Sequence, residues 1–175
     1  ESVWRTADGS FYVDLHTRLA DNPAMLRSVG MGSPRQVAKL GAKIGLPTLG
    51  PEALFAYLSV HGASSAWFRL KWAADLAALL STKTGDEIEH LHDRSQQLGA
   101  GRAAAQALLL VDDLFEVGLS PRFRSMLEAD KLNIWLARSA LREINSPIEP
   151  TERPLGTAMI HLTQLAMMPG ARFLM

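Results

Sequence analysis

The first fifty residues switch between apolar and polar positions over short runs separated by turn residues, a pattern that predicts β-strands. Residues 2–6 form one predicted strand, and residues 7–10 form a hairpin turn with Asp-Gly at its centre. A second hairpin is predicted from residues 36–40 and 43–49, which flank Gly41-Ala42. This part of the chain is therefore expected to be rich in β-hairpins.

The strand predicted to follow the first turn covers residues 11–16 and alternates strictly. Its apolar residues share one face, and Tyr12, Asp14 and His16 share the other. This is typical of a half-buried strand. The polar face is either the solvent side of an edge strand or a surface that carries chemistry.

From Pro51 onward the apolar residues recur at three- and four-residue spacing, which predicts helices. Gly50-Pro51-Glu52 is a typical helix start, with proline and an acid in the first turn. The predicted helices are 52–61, 66–80, 84–98, 102–117, 120–143 with an interruption, and a last one from 152 or 155 to 168.

These two patterns predict an α+β fold that is mostly α. We expect residues 1–50 to form short strands and hairpins and residues 51–175 to form a multi-helix bundle. The chain has 175 residues, which is enough to bury a core without disulfides or metals.

Composition removes several functional classes. There are no cysteines, which excludes disulfides, thiolate metal sites and a cysteine nucleophile. The 18 basic and 18 acidic residues cancel, which argues against nucleic-acid binding. No apolar run is long enough to span a membrane. The absence of cysteine fits a cytoplasmic location, which we expect for this protein. The first residue is not Met and the last residues are apolar, which we interpret as a piece of a longer protein.

Motifs of complete active sites are missing from the sequence. There is no phosphate-binding glycine loop, no nucleophile elbow and no His-Glu-x-x-His helix. His90 and His92 are two apart on a predicted helix and point to different faces, so we expect solvated surface residues. We expect the same of Asp112 and Asp113.

Two tryptophans, two cations and an acid crowd the start of the second predicted helix, in the segment 61–76. Arg69 and Trp72 are three apart, where a guanidinium can lie on an indole. Lys71 and Asp75 are spaced to form an ion pair. These residues either hold two helices together through aromatic and ion-pair contacts, or form a surface that contacts a base or phosphate.

This block resembles a known family. The string His61-Gly62, Trp67-x-Arg69-Leu70-Lys71-Trp72 and Asp75-Leu76, preceded by Val13-Asp14-Leu15-His16, is similar to the uncharacterised nucleotidyltransferase family of bacteria. The resemblance covers about residues 11–119, and the tail after Arg122 matches loosely.

The resemblance implies a polymerase-β type of fold, with a small sheet that carries three acids and a helical domain behind it. In that superfamily a Gly-Ser turn and an Asp-x-Asp or Asp-x-Glu pair bind Mg²⁺ and the nucleoside triphosphate, and a third acid completes the site. Asp14 matches the third acid and is our expected catalytic and metal-binding residue. His61, Trp67, Arg69, Lys71 and Asp75 are expected to be nucleotide-binding or interdomain residues.

The sequence departs from the pattern at the first two acids. Neither Gly9-Ser10 nor Gly32-Ser33 is followed by an Asp-x-Asp or Asp-x-Glu pair at a suitable distance. One acid cannot hold two metal ions. Either the missing ligands precede Glu1, or this branch of the family is not catalytic.

Two hypotheses follow. In the first, the chain is part of a protein that transfers a nucleotidyl group from an NTP to an unknown acceptor with Mg²⁺, and it lacks the Gly-Ser and Asp-x-Asp half of the site. In the second, it is a non-catalytic helical module that binds another protein. We expect neither nucleic acid nor membrane as a partner.

Overall fold

The computed structural model describes residues 2–15 and 18–168. His16, which we placed on the polar face of a strand, lies outside the described residues. The predicted fold class is confirmed: the structure is α+β and mostly α. It has two β-hairpins followed by seven α-helices and a short 3₁₀ helix in the described ranges. The proposed boundary at residue 50 stays a prediction.

Each hairpin is a separate two-stranded antiparallel sheet. Strands β1 (Ser2–Arg5) and β2 (Tyr12–Leu15) pair so that Val3 lies opposite Asp14. Strands β3 (Arg35–Leu40) and β4 (Ile44–Leu49) pair around Gly41, whose φ of 68° suits a tight turn. The predicted hairpins are thus present, within one or two residues of the expected ends.

The first hairpin differs from the prediction in its burial. Phe11, on the face predicted to be buried, is 68% exposed, and Trp4 and Tyr12 are also exposed. The alternating pattern therefore gives the pairing of the strands correctly, but the core does not cover Phe11.

The helices begin and end where local signals place them, with one exception. They are α1 (Pro51–Ser64), α2 (Leu70–Leu80), α3 (Gly85–Gln97), α4 (Arg102–Phe115), α5 (Pro121–Glu128), α6 (Lys131–Ile144) and α7 (Gly156–Met167), with the 3₁₀ helix at Pro150–Glu152. Thr84 caps α3 in a capping box with Glu87. The exception is the junction of α1 and α2, where α1 is longer and α2 shorter than predicted.

Helix α4 lies at the centre of the core. Every residue from Ala103 to Val111 is buried, and the helix contacts each of the other six helices. A helix that is apolar on all sides is stable only when it is surrounded. The largest fully buried side chains around it include Phe55, Val60, Trp67, Leu76, Leu80, Ile88, Leu127 and Leu136. No helix in the described ranges has both the length and the apolarity needed to cross a membrane.

Candidate functional site

A row of four aromatic rings runs across the surface where α1 meets α2. Tyr57 and His61 lie one turn apart on α1 and stack with ring centroids 5.7 Å apart. Trp72 on α2 meets His61 edge-on at 5.3 Å, and Phe68 meets Trp72 edge-on at 5.1 Å. All four side chains are half-buried. The row packs the two helices together and still presents part of each ring to the surface.

Arg69 extends the row at its outer end. Its guanidinium lies 5.1 Å from the Phe68 ring centroid and 5.8 Å from that of Trp72, so the predicted contact between Arg69 and Trp72 is formed. A guanidinium at such an exposed position gains about 0.5–1 kcal/mol from an aromatic face. Arg69 also reaches Glu149 at 3.7 Å, which ties this end of the row to the segment before α7.

Trp67 faces the interior instead of the surface. It is fully buried, and its ring covers Gly62, where an added Cβ would lie 2.5 Å from two ring carbons. Its indole nitrogen Nε1 has no hydrogen-bond partner. In this structure Trp67 therefore acts as a core residue of the junction. The spacing of residues in the sequence does not distinguish the buried Trp67 from the half-buried Trp72.

Lys71 and Asp75 are exposed on α2. No ion pair joins them among the residues that the structure describes, although their spacing predicts one. An exposed pair with the lysine preceding the acid is the weaker orientation on a helix. Both side chains remain available at the surface, and their contact with a nucleotide stays a prediction.

A small cleft lies beside the aromatic row, between residues 18–21 and one face of α1. It has a volume of about 200 Å³ and is lined by Arg18, Leu19, Ala20, Asp21, Tyr57, Val60, His61, Ser64 and Ser65. We call it the α1 cleft. Strand β2, which carries Asp14, ends at Leu15, so the chain passes from that strand to the cleft wall within three residues. The structure describes the backbone of Asp14 but not its side chain.

A larger cleft of about 560 Å³ separates the loop before β3 from α1 and α3. Its charged side chains are Glu52, Lys83, Glu87 and Arg94. Glu52 accepts a hydrogen bond from His90 at 3.1 Å and faces Arg94 at 3.5 Å, and Lys83 pairs with Glu87 at 3.5 Å. These opposite charges satisfy one another within the protein.

The partner of His90 is a contact that the sequence did not reveal. His90 was expected to be a solvated surface residue, and it is exposed, but it binds Glu52 from a different helix. This hydrogen bond, with Arg94 nearby, holds the pKa of Glu52 below its usual value. The hydrogen bond between His90 and Glu52 therefore links the first turn of α1 to α3.

Comparison with known proteins identifies the family of the chain. Residues 2–116 match the family described as uncharacterised nucleotidyltransferase. The chain belongs to this family. No curated protein and no solved structure matches it. The match spans both hairpins and helices α1 to α4, so the α1 cleft and the aromatic row lie within the family region, whereas α5 to α7 lie outside it.

Nucleotidyltransferase chemistry usually requires divalent metal ions. Among the described residues, no group of three or more His, Asp or Glu side chains could hold a metal ion. The described residues alone therefore do not form a two-metal site, and Asp14 as a metal ligand stays a prediction. Membership of the family supports a nucleotidyltransferase-like role.

Proposed function

We propose that this chain is part of a nucleotidyltransferase-like protein that transfers a nucleotidyl group from an NTP to an acceptor. The observation that carries the proposal is the family match over residues 2–116. In such a transfer an acceptor oxygen attacks the α-phosphorus, the bond from that phosphorus to the bridging oxygen breaks, and pyrophosphate leaves.

In the proposed arrangement, Asp14 lies at the reacting end and the α1 cleft holds the part of the nucleotide next to it. Arg18 and His61 both line the cleft, and Arg18 has no acidic partner among the described residues. A cleft of about 200 Å³ is smaller than the 300–1,000 Å³ typical of small-molecule sites. It therefore suits one phosphate or a ribose, with the remainder of the NTP outside it.

The aromatic row and Arg69 border this cleft through His61. Half-buried rings offer a face on which a base can stack. Lys71 adds an exposed cation on α2, the helix that carries Trp72. The same contacts also hold α1 against α2. We propose that the primary role of the row is to pack α1 against α2 and that its exposed edge contacts the nucleotide.

Mg²⁺ is implied by the family and not by any cluster of described residues. We propose that the other acids come from residues outside this sequence, because Asp14 alone cannot bridge two metal ions. The protein expressed from its complete coding sequence is therefore the material for every activity test.

The first test replaces Asp14 in that complete protein. Asp14→Asn keeps the size of the side chain and removes its charge, so it should abolish pyrophosphate release from an NTP, with water or a metabolite extract as the acceptor. Asp8→Asn is the matched control in the same hairpin and should leave the rate unchanged. Full activity in the Asp14→Asn protein would overturn the assignment.

A second measurement separates the enzyme from the non-catalytic interaction module. An NTP added with Mg²⁺ should slow amide hydrogen exchange in residues 18–21 and in the second half of α1, which form the α1 cleft. A protein that only binds another protein should show no such protection. Protection that is equal with and without Mg²⁺ would count against a metal-assisted transfer.

A further inference from the structure

A third cavity, open to solvent on one side, lies between α6, the segment 150–156 and α7. Its volume is about 410 Å³, within the range typical of small-molecule sites. Of the described residues in the family-matched region 2–116, Ala66 and Gln106 alone line it. We call it the α6–α7 cavity. Nothing in the family match assigns a role to it.

The polar wall of the cavity contains a side chain with an unused hydrogen-bonding atom. Gln106 is 2% exposed, and its amide nitrogen donates to the Leu136 carbonyl at 3.0 Å. The amide oxygen Oε1 is shielded from solvent and accepts no hydrogen bond. Gln106 therefore places a buried polar side chain behind an otherwise largely apolar part of the lining.

The charged wall of the cavity has an excess of positive charge. Arg142 donates to the Ser139 hydroxyl at 3.0 Å, and no carboxylate pairs with it in the described part of the chain. Arg153 forms an ion pair with Glu143, while its Nε is buried without a partner. Two guanidinium groups and one carboxylate therefore line the cavity, which favours a single added negative charge.

The rest of the lining is mostly apolar. It is formed by Ala66, Ala140, Pro150, Pro154, Gly156, Met159 and Ile160, with the Thr163 hydroxyl already bound to the Ile160 carbonyl. An apolar wall beside a pair of guanidinium groups selects for a ligand with a compact apolar body and an acidic head.

We propose that the α6–α7 cavity binds a small organic anion, with a carboxylate or phosphate at Arg142 and Arg153 and an apolar body against Ala140 and Ile160. The inference does not depend on nucleotidyl transfer, because it predicts binding and requires no reaction.

Three probes of one shape separate the charge from the apolar body: 4-phenylbutyrate, 4-phenylbutanol and 4-phenylbutylamine. Titration calorimetry on the full chain should give one site for 4-phenylbutyrate, with a dissociation constant near or below about 1 mM. The alcohol should bind about tenfold more weakly and the amine not measurably. Equal binding of the acid and the alcohol, or no binding of the acid, would overturn the proposal.

Two pairs of variants locate the site. Arg142→Gln should weaken 4-phenylbutyrate binding about tenfold. Arg138→Gln, an exposed arginine one turn earlier on α6 that does not line the cavity, should leave it unchanged. Met159→Trp should block the cavity and abolish binding, whereas Leu162→Trp, on α7 but outside the lining, should not. Equal effects within either pair would place the binding elsewhere.

Discussion

At the scale of single residues, the turn between α1 and α2 concentrates unusual backbone geometry. Ala66 and Trp67 have φ values of 52° and 56°, in the left-handed region that residues with a side chain rarely adopt. Such residues cost about 1–3 kcal/mol each and persist only where packing over-determines them. Here the buried Trp67 ring on Gly62 supplies that packing.

Gly62→Ala should destabilise the protein by about 1–3 kcal/mol, because its Cβ would collide with the Trp67 ring in a closed core. The midpoint of urea unfolding measures the change. Gly85→Ala is the control, since a Cβ there meets no atom within 4 Å and alanine favours a helix. A neutral Gly62→Ala would show that the ring can move aside at little cost.

His92 is a second residue whose environment decides its chemistry. It was predicted to be a solvated surface residue, which is wrong: it is 8% exposed and packs edge-on against Phe123. Burial lowers the pKa of His92 below its usual value, and Asp93 beside it acts in the opposite direction without reversing the shift. The folded protein therefore holds His92 neutral more strongly than the unfolded chain does.

Acidification should consequently destabilise the protein. Below about pH 6.5 the unfolded chain binds a proton at His92 that the folded state does not, so the free energy of unfolding falls as pH drops, by at most about 1.4 kcal/mol per pH unit for one proton. His92→Gln should flatten this dependence in urea unfolding between pH 7.5 and 5.5. The exposed His161→Gln serves as the control, and an unchanged slope in His92→Gln would assign the effect to another group.

At the scale of elements, one arginine joins α5 to the end of α4. Arg124 donates to Asp112 and Asp113 at 2.7 Å each and to Glu128 on its own helix at 2.9 Å. These carboxylates raise the pKa of Arg124 above its usual value. The Asp112 side chain is only 13% exposed, so Asp112 is not the solvated charge that the sequence suggested.

Arg124→Met should destabilise the protein by about 1–3 kcal/mol, because it leaves the largely covered Asp112 carboxylate without its cation. Arg122→Met, at an exposed position two residues earlier, should change stability by less than about 0.5 kcal/mol. Thermal unfolding of the two variants gives the comparison. Similar values for both would mean that solvent compensates the loss at Asp112.

The ends of the elements are largely predictable because their signals are local. The helix starts at Pro51, Thr84 and Pro121 follow proline and capping rules, and the structure has all three. The junction after α1 was mispredicted. There, the helical spacing of apolar residues continues through Trp67. The chain nevertheless leaves the helix, because the Trp67 ring packs in a buried position against Gly62.

At the scale of the whole molecule, Arg102 connects three distant parts of the chain. From the start of α4 it donates to Asp130 at 2.7 Å and to the carbonyls of Ala166 and Met168 at 3.2 and 3.0 Å. The carbonyls at the end of a helix lack partners within it, so a cation there caps the helix. Arg102 thereby fastens α7, which lies outside the family match, to the central helix.

Arg102→Met should loosen α7 more than the remainder of the fold. Amide hydrogen exchange should become faster across α7 and the start of α6, with a loss of about 1–3 kcal/mol in global stability. The control is Arg138→Met, which is exposed on α6. Unchanged protection of α7 in Arg102→Met would show that apolar contacts alone hold that helix.

The sequence by itself determined the kinds of elements, most of their ends and the resemblance carried by residues 61–76. These follow from periodicity, caps and composition, which act over a few neighbouring residues. Only the tertiary structure decided that Trp67 is in the core while Trp72 joins the aromatic row, that His92 is buried, and that the α6–α7 cavity exists. Each of these depends on side chains far apart in the sequence that compete for the same space, and no local pattern records the outcome of that competition.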